Sequence, residues 1–268
     1  MTIALAPPLP ARTRLVVPLV VIAATMVLWE IAVRATRTQG LVPLPSGIGA
    51  SGLVLTTSGV IFEAMAGSLK RVAIGFAIGA AIGIPMGLAV GTLRPLERSL
   101  RPVLDSLRSI APIAWIPMAI LWLGVRGNAA LFVVSYAATF PFIVSASQAV
   151  RMVDRRLVDA ARALGASPWT VLRAVLLPST LPMLFTGARI ALAFAWGSII
   201  AAELAIGIKI AGQGRNVAGI GQLMVETLYV KRDVDALVFY MLAIGVVSLA
   251  IDAGLRHLQR RLLPWDRR

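Results

Sequence analysis

The chain has 268 residues, 58% hydrophobic and only 14% charged, with a net charge of +14 and a mean hydropathy of +0.85. A water-soluble fold of this size has nowhere to hide so much apolar surface, so composition points to an all-α polytopic membrane protein. There is no cysteine and a single histidine, His257, which excludes disulfides, thiolate nucleophiles and cysteine-ligated metal, and argues against a His-ligated metal or a histidine triad within one chain. The positive charge lies between apolar segments without interleaved stacking aromatics, which suits a membrane lipid surface and not nucleic acid.

In chain order, the first ten residues carry Pro7, Pro8 and Pro10 and read as a disordered leader. Apolar segments near 15–33, 72–92, 110–125, 129–150, 181–206 and 236–256 follow, each read as a membrane crossing. The first follows Arg12 and Arg14 and reads as an uncleaved helix, because Glu30 interrupts the zone where a signal peptide would be cut and more spans follow. The second carries Gly75, Gly79, Gly83, Gly87 and Gly91 at steps of four, a packing seam along which another backbone can approach closely. Pro85 within that seam is expected to bend the helix. The third segment is short and holds Pro112 and Pro117, which suits a broken helix lined by protein.

A charged, punctuated insert separates the fourth and fifth segments. Val153, Leu157, Ala160, Ala161 and Leu164 line one side of a short predicted helix, and Arg155, Arg156, Asp159 and Arg162 occupy the rest. Gly165 supplies the left-handed backbone of a helix end, and Ser167 followed by Pro168 is an N-cap and first-turn proline that opens a second helix. Pro178 is expected to close that second helix. Two short helices meeting at a glycine make a compact knob, suited to lying in a groove of a soluble partner.

The fifth segment holds Arg189 and Glu203. At 100° and 1.5 Å per residue they lie within about 40° on one helix face and roughly 21 Å apart along the axis. Each charge costs at least about 2.5 kcal/mol at mid-bilayer, so both should face protein or water. That face either looks toward a pathway, or Arg189 bonds to a carbonyl or carboxylate of another helix and Glu203 sits at the outer interface. Residues 207–234, rich in glycine and mixed charge, read as an external loop. The A-G-Q-G-R-N run at 211–216 lacks the third glycine of a dinucleotide fingerprint, and none of Lys70, Lys209 and Lys231 follows a glycine as a P-loop lysine must. The energy source must therefore lie in another subunit.

With the N-terminus inside, sixteen arginines fall on inner segments, among them Arg94, Arg98, Arg101, Arg108, Arg151, Arg173, Arg256, Arg260, Arg261, Arg267 and Arg268. Nine arginines and lysines fall outside, namely Arg34, Arg37, Lys70, Arg71, Arg126, Lys209, Arg215, Lys231 and Arg232. The bias places both termini and the knob in the cytoplasm.

Asp159, Ala160, Ala161, Gly165, Val175, Leu177 and Pro178 resemble, in order and spacing, the EAA loop of ABC importer permeases, with Asp159 in place of the usual first glutamate. The stretches S-L-K-R-V-A-I-G-F from Ser68, A-W-I-P-M-A-I-L-W-L-G from Ala114 and T-G-A-R-I-A-L-A-F-A-W-G-S-I-I-A-A-E from Thr186 are similar to the nitrate, sulfonate and taurine group of that family. The resemblance covers about 61–258, and residues 1–60 match only loosely. It implies a MetI-like type I importer transmembrane domain over 61–258 with its coupling loop at 151–180, preceded by a leader, first helix and external loop and followed by a basic cytoplasmic tail at 259–268. It implies a permease subunit in a bacterial inner membrane, without enzymatic residues or cofactor of its own. Two ATPase subunits that bind ATP and Mg, a second permease copy and a periplasmic or lipid-anchored solute-binding protein are the implied partners. Arg189, Trp196 and Glu203 are the candidate pathway residues. The implied solute is a small anion such as a sulfonate, taurine or nitrate; relatives that import neutral riboflavin or pyrimidine precursors share these motifs, and an ATP-independent secondary transporter is the alternative class.

Overall fold

The computed structural model describes residues 11–36, 40–124, 127–210 and 219–263, with side chains described from 16 onward and not at 208–210. The proline-rich leader, the A-G-Q-G-R-N run and Arg37, Arg126, Arg215, Arg267 and Arg268 lie outside the described residues, as do the side chains of Arg12, Arg14 and Lys209. No strand occurs among the described residues. Among the described residues five helices are long and apolar enough to cross a membrane, and a bent pair raises that to as many as six. These are α1 (Ala11–Ala35), α3 (Val60–Thr92), α6 (Asn128–Met152), α9 (Leu177–Ile210, entered from residue 168) and α11 (Val234–Leu262). The shorter helices are α2 (Pro45–Thr57), α4 (Arg94–Ser109), α5 (Ile116–Leu123), α7 (Arg155–Ala163), α8 (Pro168–Val171) and α10 (Ile220–Glu226).

The core is α6 held between α3 and α9. Val133, Val134, Ala138 and Phe142 of α6 are almost completely buried, as are Ala191, Ala195, Ile199, Ala202 and Ile206 of α9. Without a hydrophobic force between helices in lipid, association depends on dispersion and close approach, and small residues provide it. The five glycines at steps of four along α3 face α6. A Cβ on Gly75 would stand 2.6 Å from Val134 Cγ1, and one on Gly79 2.6 Å from the Ala138 Cβ. One on Gly83 would stand 2.6 Å from the Thr139 carbonyl oxygen, one on Gly87 2.5 Å from that of Ile143 and one on Gly91 2.9 Å from that of Ser147. On the other side of α6, Gly187 of α9 lies against Ser145 just as closely. By contrast α1 and α11 expose most of their surface, with 6% and 11% of their spanning windows buried, as helices at a lipid boundary do.

Several boundaries differ from the sequence reading. Helix α3 begins at Val60, not near 72, because Lys70 and Arg71 depress a hydropathy window without interrupting the helix. Arg71 was counted as an external flank, yet it lies eleven residues into α3, roughly 16 Å along its axis. The third apolar segment appears as the turn Pro112–Trp115 leading into α5, joined at 84° to α4. The amphipathic α4 went unread because Leu96, Leu100, Val103 and Leu107 form a stripe that charged neighbours average away. Pro178 does not close a helix. A π turn over Leu172–Leu176 carries α8 straight into α9, leaving Pro178 and Pro182 inside the continuous run. Widening by a π turn is how a helix accommodates a residue that lacks an N–H and crowds the preceding turn. Finally, 207–234 is not all loop. Its second half is α10 followed by a π turn over Thr227–Lys231, and Ile220, Leu223, Met224 and Val225 are buried.

Helix α2 is tied in by carboxylates from other helices. Ser46 donates its N–H to Glu30 Oε2 at 3.1 Å and its hydroxyl to Oε1 at 2.7 Å, while Leu44 N–H donates to Asp235 Oδ1 at 2.7 Å. Glu30 also bridges to Arg34 of its own helix at 2.5 Å.

Replacing Gly87 by valine is expected to lower the heat-unfolding midpoint of the purified protein, in line with an overpacking cost of about 1–3 kcal/mol. Gly254→Ala, in an exposed helix interior where an added Cβ meets nothing within 4 Å, should not lower it. Equal midpoints for the Gly87→Val variant and the wild type would remove the seam from the account.

Candidate functional site

The knob between α6 and α9 is built by local chemistry. Asp154 caps α7, its Oδ1 accepting the Arg156 N–H at 2.9 Å. At the other end Gly165 takes φ +80°. Its N–H donates to the Arg162 carbonyl at 2.9 Å, and the Ala166 N–H to the Ala161 carbonyl at 3.0 Å, the paired bonds of a Schellman end. Ser167 then starts α8, its Oγ accepting the Thr170 N–H at 3.2 Å with Pro168 in the first turn. The helix ends capped in this way are capped by groups within the knob itself.

None of the residues of α7 is buried. Leu164 is 89% exposed and Trp169 68% exposed, with Leu157 and Met152 also open. Apolar side chains held this far out on a basic, capped turn form a surface that only a partner can cover. Asp159, Ala160 and Gly165 are exposed on it, Ala161 is half-buried, and Val175, Leu177 and Pro178 run along the π turn into α9. Beside the knob lies a hollow of about 410 Å³, lined by residues that include Met152, Asp154, Leu157, Ser179 and Met183.

The three candidate pathway residues on α9 go to different places. Arg189 donates from Nε to Asp252 Oδ1 of α11 at 2.9 Å, and Arg256 Nη1 donates to Oδ2 of the same carboxylate. Arg189 and Asp252 are each 37% exposed. Trp196 is buried against the core, and its indole N–H has no hydrogen-bond partner among the described residues. Glu203 is 1% exposed, and its carboxylate is bound by Arg71 Nη1 at 2.6 Å, the Ser68 hydroxyl at 2.8 Å and the Gly221 N–H at 3.0 Å. Arg189 and Glu203 share a helix but not a cluster. Arg189 bonds to a carboxylate of another helix, the second of the two sequence alternatives, with Asp252 not named in advance; Glu203 is buried, and sequence reasoning missed Ser68, Arg71 and Gly221 as its partners. The one signal available was chemical: a buried carboxylate in hydrocarbon demands a cation, and Arg71 is an arginine within a spanning helix. Among the described residues no cluster of three or more His, Cys, Asp or Glu side chains could hold a metal.

Residues 79–264 match the family model described as a binding-protein-dependent transport system inner membrane component. The chain is 33% identical over 259 residues to the bicarbonate transport system permease protein CmpB of Synechococcus elongatus, covering 93% of this chain and 90% of that one. It is 29% identical over 205 residues to the taurine transport system permease protein TauC of Escherichia coli, covering 76% and 71%. Among solved structures it is similar in fold to an inward-facing form of the MetNI methionine ABC transporter, with a TM-score of 0.65 at 21% identity, covering 77% of this chain and 97% of the other.

The shared carboxylate predicts an asymmetry. Asp252→Leu leaves Arg189 and Arg256 without their acceptor and should lower the unfolding midpoint. Adding Arg189→Leu should recover part of the loss, because removing one partner of such a pair costs more than removing both. Equal midpoints for the single and double variants would show that the pair is solvated and energetically idle.

Proposed function

The chain belongs to the family of binding-protein-dependent transport system inner membrane components and is the permease subunit of an ABC importer; from that premise we propose that its knob is the lever on which a separate ATPase acts. The observation that carries this reading is the exposure of Leu164 and Trp169 on a turn whose own caps make it rigid. A lever needs a defined shape and an apolar tip, and this turn has capped helix ends and exposed Leu164 and Trp169.

In the proposed assembly two copies of the chain form the pathway, two ATP-binding cassette subunits dock on their knobs, and an external solute-binding protein delivers the solute. Both termini and the knob face the cytoplasm, as the distribution of arginine supports. ATP and its Mg belong to the partner subunits. ATP-driven closure brings the two knobs together and turns the spanning helices outward, and hydrolysis returns them inward. The scheme requires ATP to bind the outward-open assembly more tightly than the inward-open one, since a ligand shifts an equilibrium only by its differential affinity.

A small anion is the proposed solute. Relatives named for bicarbonate and for taurine support that class, and so does the excess of cation over carboxylate around Asp252, where Arg189 and Arg256 share one acceptor. Uptake by the complex with its own binding protein should therefore be competed by bicarbonate or a sulfonate and not by riboflavin. Competition by riboflavin alone would replace the anion with a neutral solute.

Gly165→Val tests the lever. A Cβ at Gly165 meets nothing within 4 Å, so the substitution acts only through the left-handed backbone, at about 1–2 kcal/mol. Uptake in membrane vesicles should fall about tenfold with the permease still inserted at the wild-type level. Undiminished uptake would mean that the shape of the turn does not transmit motion.

A further inference from the structure

The buried carboxylate on α9 does more than neutralise an arginine. Helix α10 starts at Ile220 with Gly219 as its N-cap residue, and glycine has no side chain to accept the first N–H groups of a helix. Those groups are accepted from elsewhere. The Ile220 N–H donates to Ser68 Oγ at 3.0 Å, and the Gly221 N–H donates to Glu203 Oε2 at 3.0 Å. The Ser68 hydroxyl in turn lies 2.9 Å from Oε1 and 2.8 Å from Oε2 and donates its hydrogen bond to that carboxylate. Arg71 completes the set through Oε1. Ser68, Glu203 and Ile220 are each at most 1% exposed.

The two glycines belong to the same device. A Cβ on Gly219 would run into the Glu203 carboxylate, and one on Gly221 would stand 2.7 Å from Glu203 Cβ and 2.9 Å from the Ile200 carbonyl oxygen. The return segment thus comes close enough to α9 for its backbone to meet a side chain of another helix directly. At this degree of burial an uncapped N–H would carry a desolvation cost of about 1–3 kcal/mol, so the cap in trans holds α10 where it is.

We propose that Glu203 is a positioning residue for transport: with Ser68 and Arg71 it latches the return segment Gly219–Glu226 to α3 and α9, so that the three elements move as one body through the transport cycle. The effect on transport rests on the reading of this chain as a permease subunit. The latch itself rests only on the geometry of Ser68, Arg71, Glu203 and the α10 start.

The chain has no cysteine, so single-cysteine reporters need no other change. Leu223→Cys reports on α10, where Leu223 is 8% exposed, and Val133→Cys reports on the core, where Val133 is 1% exposed. Rates of N-ethylmaleimide labelling are measured for both in membranes containing the full chain, with Glu203→Gln, with Ser68→Ala and with neither. The latch predicts that either substitution speeds labelling at Leu223→Cys about tenfold, the factor that corresponds to roughly 1.4 kcal/mol, while labelling at Val133→Cys stays slow. Unchanged labelling at Leu223→Cys overturns it, and so does equal acceleration at both positions, which would show general loosening. Ser68→Ala removes only a hydroxyl and keeps the test decisive if Glu203→Gln fails to insert. Vesicle uptake should fall in every variant that frees α10. Failure of the wild-type chain to co-purify with an ATPase subunit would count against the permease reading and leave the labelling result standing.

Discussion

The close approach of α3 to α6 is the contact on which the other features depend. Between helices in lipid there is little to gain from hiding apolar surface, so the two must hold by contact alone. The glycines from Gly75 to Gly91 put the α3 backbone against the backbone of α6 for four helical turns, and Gly187 repeats the approach between α6 and α9. A block packed this tightly has few ways to flex. The knob joins the end of α6 to the start of α9, so in the proposed scheme a push on its tip is carried to both helices, and to α3 through the seam. Loosely packed helices would absorb the same push as bending.

The second constraint is electrostatic. Hydrocarbon offers no hydrogen bonds, so helix starts and charges inside the membrane must find partners in the protein. At the buried start of α10 the chain meets this need with a carboxylate from a neighbouring helix. Glu30 and Asp235 accept from the start of α2, and Glu203 accepts from the start of α10. At the knob, where water is available, the caps are local instead: Asp154, Gly165 and Ser167 serve their own turns. Helix starts are thus capped either from another helix or within their own turn.

That division also explains what was legible in the sequence. The knob could be read because its determinants lie within a few residues of one another; the glycine after Leu164 and the Ser-Pro pair mark the same helix ends in the chain as in the structure. The glycine seam was legible as a stripe because its period is that of the helix. The partners of Glu203 were not, since Ser68 and Arg71 lie 135 and 132 residues away and Arg71 looked like a flank. Helix α4 was missed because hydropathy averages over a window, and a helix with one apolar stripe and four arginines averages to nothing. Pro178 misled for a different reason: a proline breaks a regular α-helix, but the π turn ahead of it makes the helix locally irregular.

The knob can meet a nucleotide-driven partner only on the cytoplasmic side of the membrane. Leu164→Cys, on the most exposed part of the turn, would be the chain's single cysteine. Treated with a membrane-impermeant maleimide, intact cells should leave it unlabelled, and permeabilised cells should label it fully. Labelling at the same rate in intact cells would put the knob outside and contradict the lever.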